Sequence, residues 1–119
     1  RIFVPGYLAD VSSYFLDHRL FVAPLRYGAG MKGKLGQSLE YGLPIVATTM
    51  GIEGMNLAHE ENVLEADEAQ EFAQQIIRLY RNEELWTKLA ANSVKAIASF
   101  TPDSIKQELC QMFHDLWLQ

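Results

Sequence analysis

Apolar residues change their spacing along this chain, from short runs in its first half to helical stripes in its second. Ile2 to Pro5, closed by Pro5-Gly6, predicts a short strand, and Leu20 to Ala23, bounded by Pro24, predicts a strand covered on both faces. Between them Val11 to His18 predicts a brief helix, with Val11, Tyr14 and Phe15 at near-helical spacing. Lys34 to Tyr41 predicts a helix that turns Leu35 and Leu39 inward. It stops at Gly42, which supplies a left-handed cap position ahead of Pro44. Ile45 to Ala47 is the next buried strand, Thr48 to Leu57 a loop, and Asn62 to Glu65 a weak strand.

Beyond Glu65 the spacing is helical throughout. Asp67 is placed to cap a helix with Gln70 as its capping-box partner, and Phe72, Ile76, Leu79 and Tyr80 line one face. A second helix runs from about Glu83 to Ser99 through Leu85, Leu89, Ala96 and Ile97. Thr101-Pro102 opens a last one, with Ile105, Leu109, Met112, Phe113 and Leu116 as its stripe. Strands alternating with helices, followed by helices alone, predict an α/β fold: a parallel sheet with a helical C-terminal tail.

At 119 residues the chain holds one domain. Its apolar fraction of 49% and charged fraction of 21% are those of a soluble globule, and no repeat or low-complexity tract interrupts it. A net charge of -5 argues against nucleic acid or a membrane surface as partner, since both call for a broad basic face. Cys110 is alone and reads as a buried structural thiol. No apolar run approaches membrane-spanning length and no signal peptide opens the chain, so it reads as cytoplasmic. Arg1 is not a natural start and a strand follows almost at once, so the sequence reads as cut from a longer one.

Against the acidic total, residues 24 to 48, PLRYGAGMKGKLGQSLEYGLPIVAT, contain Arg26, Lys32 and Lys34, and no acidic residue lies between Asp17 and Glu40. Gly28, Gly30 and Gly33 allow close approach of backbone to a ligand, and the following helix offers free N–H groups. Strand end, basic glycine loop and helix start together predict a site for a phosphate-sized anion. His18, His59 and His114 have neither metal-ligand nor triad spacing, and Trp86 and Trp117 read as helix-packing residues.

The string from Phe21 through Met55, FVAPLRYGAGMKGKLGQSLEYGLPIVATTMGIEGM, resembles the C-terminal nucleotide-sugar-binding domain of the retaining family-4 (group 1) glycosyltransferases with the GT-B fold. The resemblance rests on an ordered set of features: a basic residue before G-x-G, two lysines, a helix with Gly at its end, then P-hydrophobic-hydrophobic-A-T. It implies that residues 1-119 are a single donor-binding domain, a partial Rossmann-like sheet lacking its opening strands and the N-terminal acceptor domain. It also implies transfer of a sugar from a nucleoside-diphosphate donor to an acceptor hydroxyl with retention, with no metal and no cofactor besides that donor.

The family's two glutamates, separated by seven intervening residues, are replaced here. The second falls at Gln37, whose amide can still bond two hydroxyls, and the first falls at Gly28 or Ala29. The donor would then be held by the backbone of Gly28, Ala29, Gly30 and Met31 and by Arg26, Lys32, Lys34 and Gln37. Glu53, between Gly51 and Gly54, either touches the ligand or fixes its loop, while Glu40 reads as solvent-exposed. No residue reads as a general base. Two alternatives stay open: a nucleotide-sugar epimerase of the same fold, and a non-catalytic binding or assembly module. In the strand order 3-2-1-4-5-6, a chain beginning at strand 3 leaves Ile2 to Pro5 without its partner. That segment is expected either to pair beside Leu20 to Ala23 or to join copies of the chain through the exposed sheet edge.

Overall fold

Short β-branched and small-residue runs build the centre of the molecule. In a computed structural model describing residues 1–118, three strands form a parallel sheet in the order β1-β2-β3: β1 Phe21–Ala23, β2 Ile45–Ala47 and β3 Leu64–Glu65. Phe21 pairs with Ile45 and Ala23 with Ala47, and Val46 pairs with Leu64. All three β2 side chains are buried, as expected of a central strand with both faces covered. Ile45 and Ala47 face one way, onto α2 (Gly33–Glu40) and α3 (Thr49–Ile52), in a core with Leu35, Leu39, Ile52, Met55 and Val63. Val46 faces the other way, with Leu64, toward Leu79 of α4 (Ala69–Arg81) and Leu85 and Leu89 of α5 (Glu83–Ala96). The result is three layers, helix on sheet on helix, the partial Rossmann-like α/β arrangement expected from the sequence.

Local signals end the helices where expected in several places. Gly42 takes φ +67 after α2, and the buried Ser38 hydroxyl donates to the Leu43 carbonyl at 2.9 Å to close that turn. The Asn82 side chain caps α5, and the Thr101 side chain with Pro102 opens α6 (Pro102–Trp117). At the N-terminal side, α1 (Ser12–Leu16) buries Phe15 between Phe21 and Tyr41, with ring centroids 5.9 and 5.3 Å apart.

Several expectations are corrected. Ile2 to Pro5 is not a strand: the segment forms no ladder, pairs with nothing beside β1, and Ile2 is 94% exposed. A strand exists through the hydrogen bonds of a neighbour, and the neighbour is what this segment lacks. β1 lies at the sheet edge and Val22 is exposed, so this strand is covered on one face rather than two. Thr49–Ile52 is a turn of helix within the expected loop. Asp67 does not cap α4: Glu68 holds the N-cap position without a side-chain bond, because the Asp67 carboxylate is engaged by Thr49. Tyr80 is exposed, lying under the Arg19 guanidinium 5.2 Å from its ring centroid. The last stretch of the expected second helix, Ile97–Phe100, tightens to a 3-10 turn.

The largest departure is α6. None of Ile105, Leu109, Met112, Phe113 and Leu116 is buried, Trp117 is 88% exposed rather than packed, and Cys110 is exposed rather than structural. The radius of gyration, 16.4 Å, exceeds the roughly 13.5 Å of a compact chain this long, and the molecule extends 58 × 32 × 29 Å. An amphipathic stripe predicts a helix, and that helix forms, but its apolar face is left exposed by the described residues. Among the described residues no helix is long and apolar enough to cross a membrane.

Candidate active site

All three strands run the same way, so the segments that leave them gather at one edge of the sheet. There Pro24, Leu25 and Arg26 after β1, Thr48, Thr49 and Met50 after β2, and Asp67, Glu68 and Ala69 after β3 line a cleft of about 750 Å³, with Glu53 and Phe72 completing it. Open parallel sheets bind ligands at this edge, where loops from neighbouring strands diverge. Thr48 joins two walls: its hydroxyl donates to the Leu25 carbonyl at 2.6 Å and accepts from the Gly51 N–H at 3.2 Å. Gly51 packs so closely that a Cβ there would stand 3.1 Å from the Ala23 carbonyl oxygen.

The third wall is held by Thr49. Its backbone N–H donates to Asp67 at 2.8 Å, and its hydroxyl, with one proton to give, stands 2.6 Å from Asp67 and 2.5 Å from Glu65. The hydroxyl first, and then the backbone N–H, hold the Asp67 carboxyl below the ordinary carboxylate range. The cleft thus carries Arg26 against three carboxylates, Glu53, Asp67 and Glu68.

Beside this cleft stand the glycine loop and the start of α2. Gly28 and Gly30 take φ +132 and +71, conformations that favour glycine, so the chain curls between β1 and α2. Lys32 occupies the N-cap position with no side-chain cap, and the first N–H groups bonded back to its carbonyl are those of Leu35 and Gly36. The amides of Gly33 and Lys34, the two residues immediately before these, are the helix donors left for a ligand. Lys34 is exposed and its ammonium reaches Gln37 Oε1 at 3.3 Å; Lys32 instead folds inward to the Gly30 carbonyl and Glu53.

Of the residues expected to form the donor site, Arg26 and Glu53 therefore line the cleft, while Gly28, Ala29, Gly30, Met31, Lys32, Lys34 and Gln37 form the adjoining loop and helix start.

The sequence profile of the glycosyl transferases group 1 family matches residues 1–82. The chain belongs to that family. Its fold is also similar to a solved structure, the C-terminal domain of a glycosyl transferase group 1 family protein (LpcC) from Francisella tularensis. The TM-score is 0.69 at 18% identity, with 79% of this chain and 50% of that one covered. The chain therefore spans about half the length of that solved structure. Among curated proteins no sequence matches.

Within this group 1 glycosyl transferase chain, sequence reading missed the threonines. Thr48 and Thr49 organise the cleft, and the available signal was their position directly after a buried strand, where side-chain oxygens turn and cap the chain. Asp67 was noticed for a different task, as a helix cap.

Proposed function

We propose that this chain supplies the donor-binding surface of a retaining glycosyltransferase of GT-B type, which moves a hexose from a nucleoside-diphosphate sugar to an acceptor hydroxyl. The observation that carries this reading is the placement of the positive-φ glycine loop, the uncapped start of α2 and Arg26 beside one cleft at the C-terminal edge of the sheet. Family membership supports the transferase chemistry. As the glycosidic bond breaks, negative charge grows on the departing diphosphate. Fixed N–H groups at Gly33 and Lys34, with the Lys34 ammonium and the Arg26 guanidinium, favour that charge-separated state over the bound ground state. Gln37, half-buried beside Lys34, is placed to accept and donate hydrogen bonds to donor hydroxyls as a neutral amide.

The general base is assigned to no residue of this chain, and acceptor contacts are proposed to lie on a separate domain of the protein. The open edge of β1, with Ile2, Phe3 and Val4 exposed, supports self-association as a further proposal, which light scattering would detect. The test of function is acceptor-dependent release of nucleoside diphosphate from UDP- and GDP-sugars by the protein. Transfer to an acceptor is expected. Donor isomerisation without acceptor would instead indicate an epimerase, and donor binding without turnover a non-catalytic module.

A further inference from the structure

The two lysines of the loop, two residues apart, do different things. Lys34 is exposed, but the Lys32 side chain is only 12% exposed. Its stem passes 3.7 Å from the Cβ position of Gly28, its ammonium donates to the Gly30 carbonyl at 2.6 Å, and the same ammonium lies 3.8 Å from Glu53 Oε2. Glu53 ends α3, so this contact crosses from the glycine loop to the turn after β2. The neighbouring pair repeats the crossing: Met31 covers Gly54, 3.7 Å from its Cβ position. Loop and turn therefore meet at two adjacent points, one ionic and one apolar.

We propose that Lys32 and Glu53 are positioning residues, a clasp that holds the glycine loop in its curled form and so presets the amides that receive the donor's diphosphate. This rests on the donor-site reading above. A loop with Gly28 and Gly30 at positive φ has conformational freedom to lose, and whatever orders it before the ligand arrives lowers the entropic cost of binding. An ammonium turned toward a backbone carbonyl and a carboxylate is already partnered, which leaves Lys34 and Arg26 as the outward cations. Glu53 then aids anion binding despite its negative charge.

The test compares Lys32→Met, Glu53→Gln, the double variant and Lys32→Arg with the unaltered protein, all checked for an unchanged thermal midpoint. Hydrogen exchange of amides 28–34 is measured without ligand, and inorganic pyrophosphate binding by calorimetry. Each neutral variant should raise exchange across the loop about fivefold and weaken pyrophosphate about as much, the double no more than either single, with Lys32→Arg restoring both. Unchanged exchange in both single variants overturns the clasp. So does tighter pyrophosphate binding by Glu53→Gln, because Glu53 would then be only a repelling charge. Raised exchange together with no pyrophosphate binding by the unaltered protein supports the clasp and overturns instead the donor-site reading.

Discussion

The Thr48 hydroxyl donates to the Leu25 carbonyl at 2.6 Å, joining segments 23 residues apart that leave adjacent strands. The same oxygen caps α3 through the Gly51 N–H, so one small side chain braces two walls of the cleft. Thr48→Val keeps the shape and removes both bonds. It should cost about 1 to 3 kcal/mol, while Thr48→Ser, which keeps the oxygen, should cost much less. Urea midpoints of the two variants check this.

Gly51 is required for a different reason. An alanine methyl there meets the Ala23 carbonyl oxygen at 3.1 Å and the Ala47 methyl at 3.3 Å, and neither belongs to a flexible side chain. Gly51→Ala should destabilise the protein by about 1 to 3 kcal/mol through overpacking. The resonances of Pro24 to Arg26 should also move in an NMR spectrum, since the crowded carbonyl leads directly into that segment.

Leu89 and Ile105 look alike in sequence, each an apolar position on a helical stripe, but they differ in surroundings. Leu89 is fully buried against the sheet, whereas Ile105 is exposed on α6. Leu89→Ala should cost about 2 to 5 kcal/mol and Ile105→Ala no more than about 0.5 kcal/mol, read by denaturant unfolding of this chain.

Acid should weaken the fold through surface carboxylates, Glu60 and Asp67 among them. The Arg78 hydrogen bond, and after it the Arg78 charge, lowers the Glu60 carboxyl, while the Thr49 hydroxyl and N–H lower Asp67. A carboxyl with a lower pKa folded than unfolded favours the fold when ionised. Its contribution is complete above the unfolded carboxylate range of about 4 to 4.5 and fades as pH falls toward the lowered folded value. Thr49→Val removes the Asp67 hydroxyl bond. It should lower stability at pH 7 and make the loss on acidification shallower, as a series of urea midpoints from pH 7 to pH 3 would record.

On the proposed donor-site reading, Lys34→Ala should lower kcat/KM for a nucleoside-diphosphate sugar by about 2 to 4 kcal/mol of transition-state stabilisation. Lys88→Ala and Lys106→Ala, remote from the loop, should leave it unchanged. Steady-state kinetics with varied donor separates the three.

Much of the fold was legible because it depends on neighbours in sequence. Ile45 to Ala47 reads as a buried strand from its apolar run, Gly42 as a helix stop from its freedom at positive φ, and Thr101-Pro102 as a helix start from capping and fixed φ. The glycine loop and its order before α2 and β2 were legible for the same reason, and with them the family resemblance.

What tertiary structure decided concerns which charges and apolar faces find partners. No acidic residue lies between Asp17 and Glu40 in sequence, yet folding brings Glu53 to Lys32, and Asp67 and Glu68 to the cleft beside Arg26. Asp67 has the composition of a helix cap and serves instead as an anchor for Thr49, because the end of β3 lies beside the end of β2. Ile2 to Pro5 and α6 carry the residues of buried elements and lie exposed. Periodicity states which face of an element can be buried, but burial itself requires a complementary surface, which only the packed structure supplies or withholds.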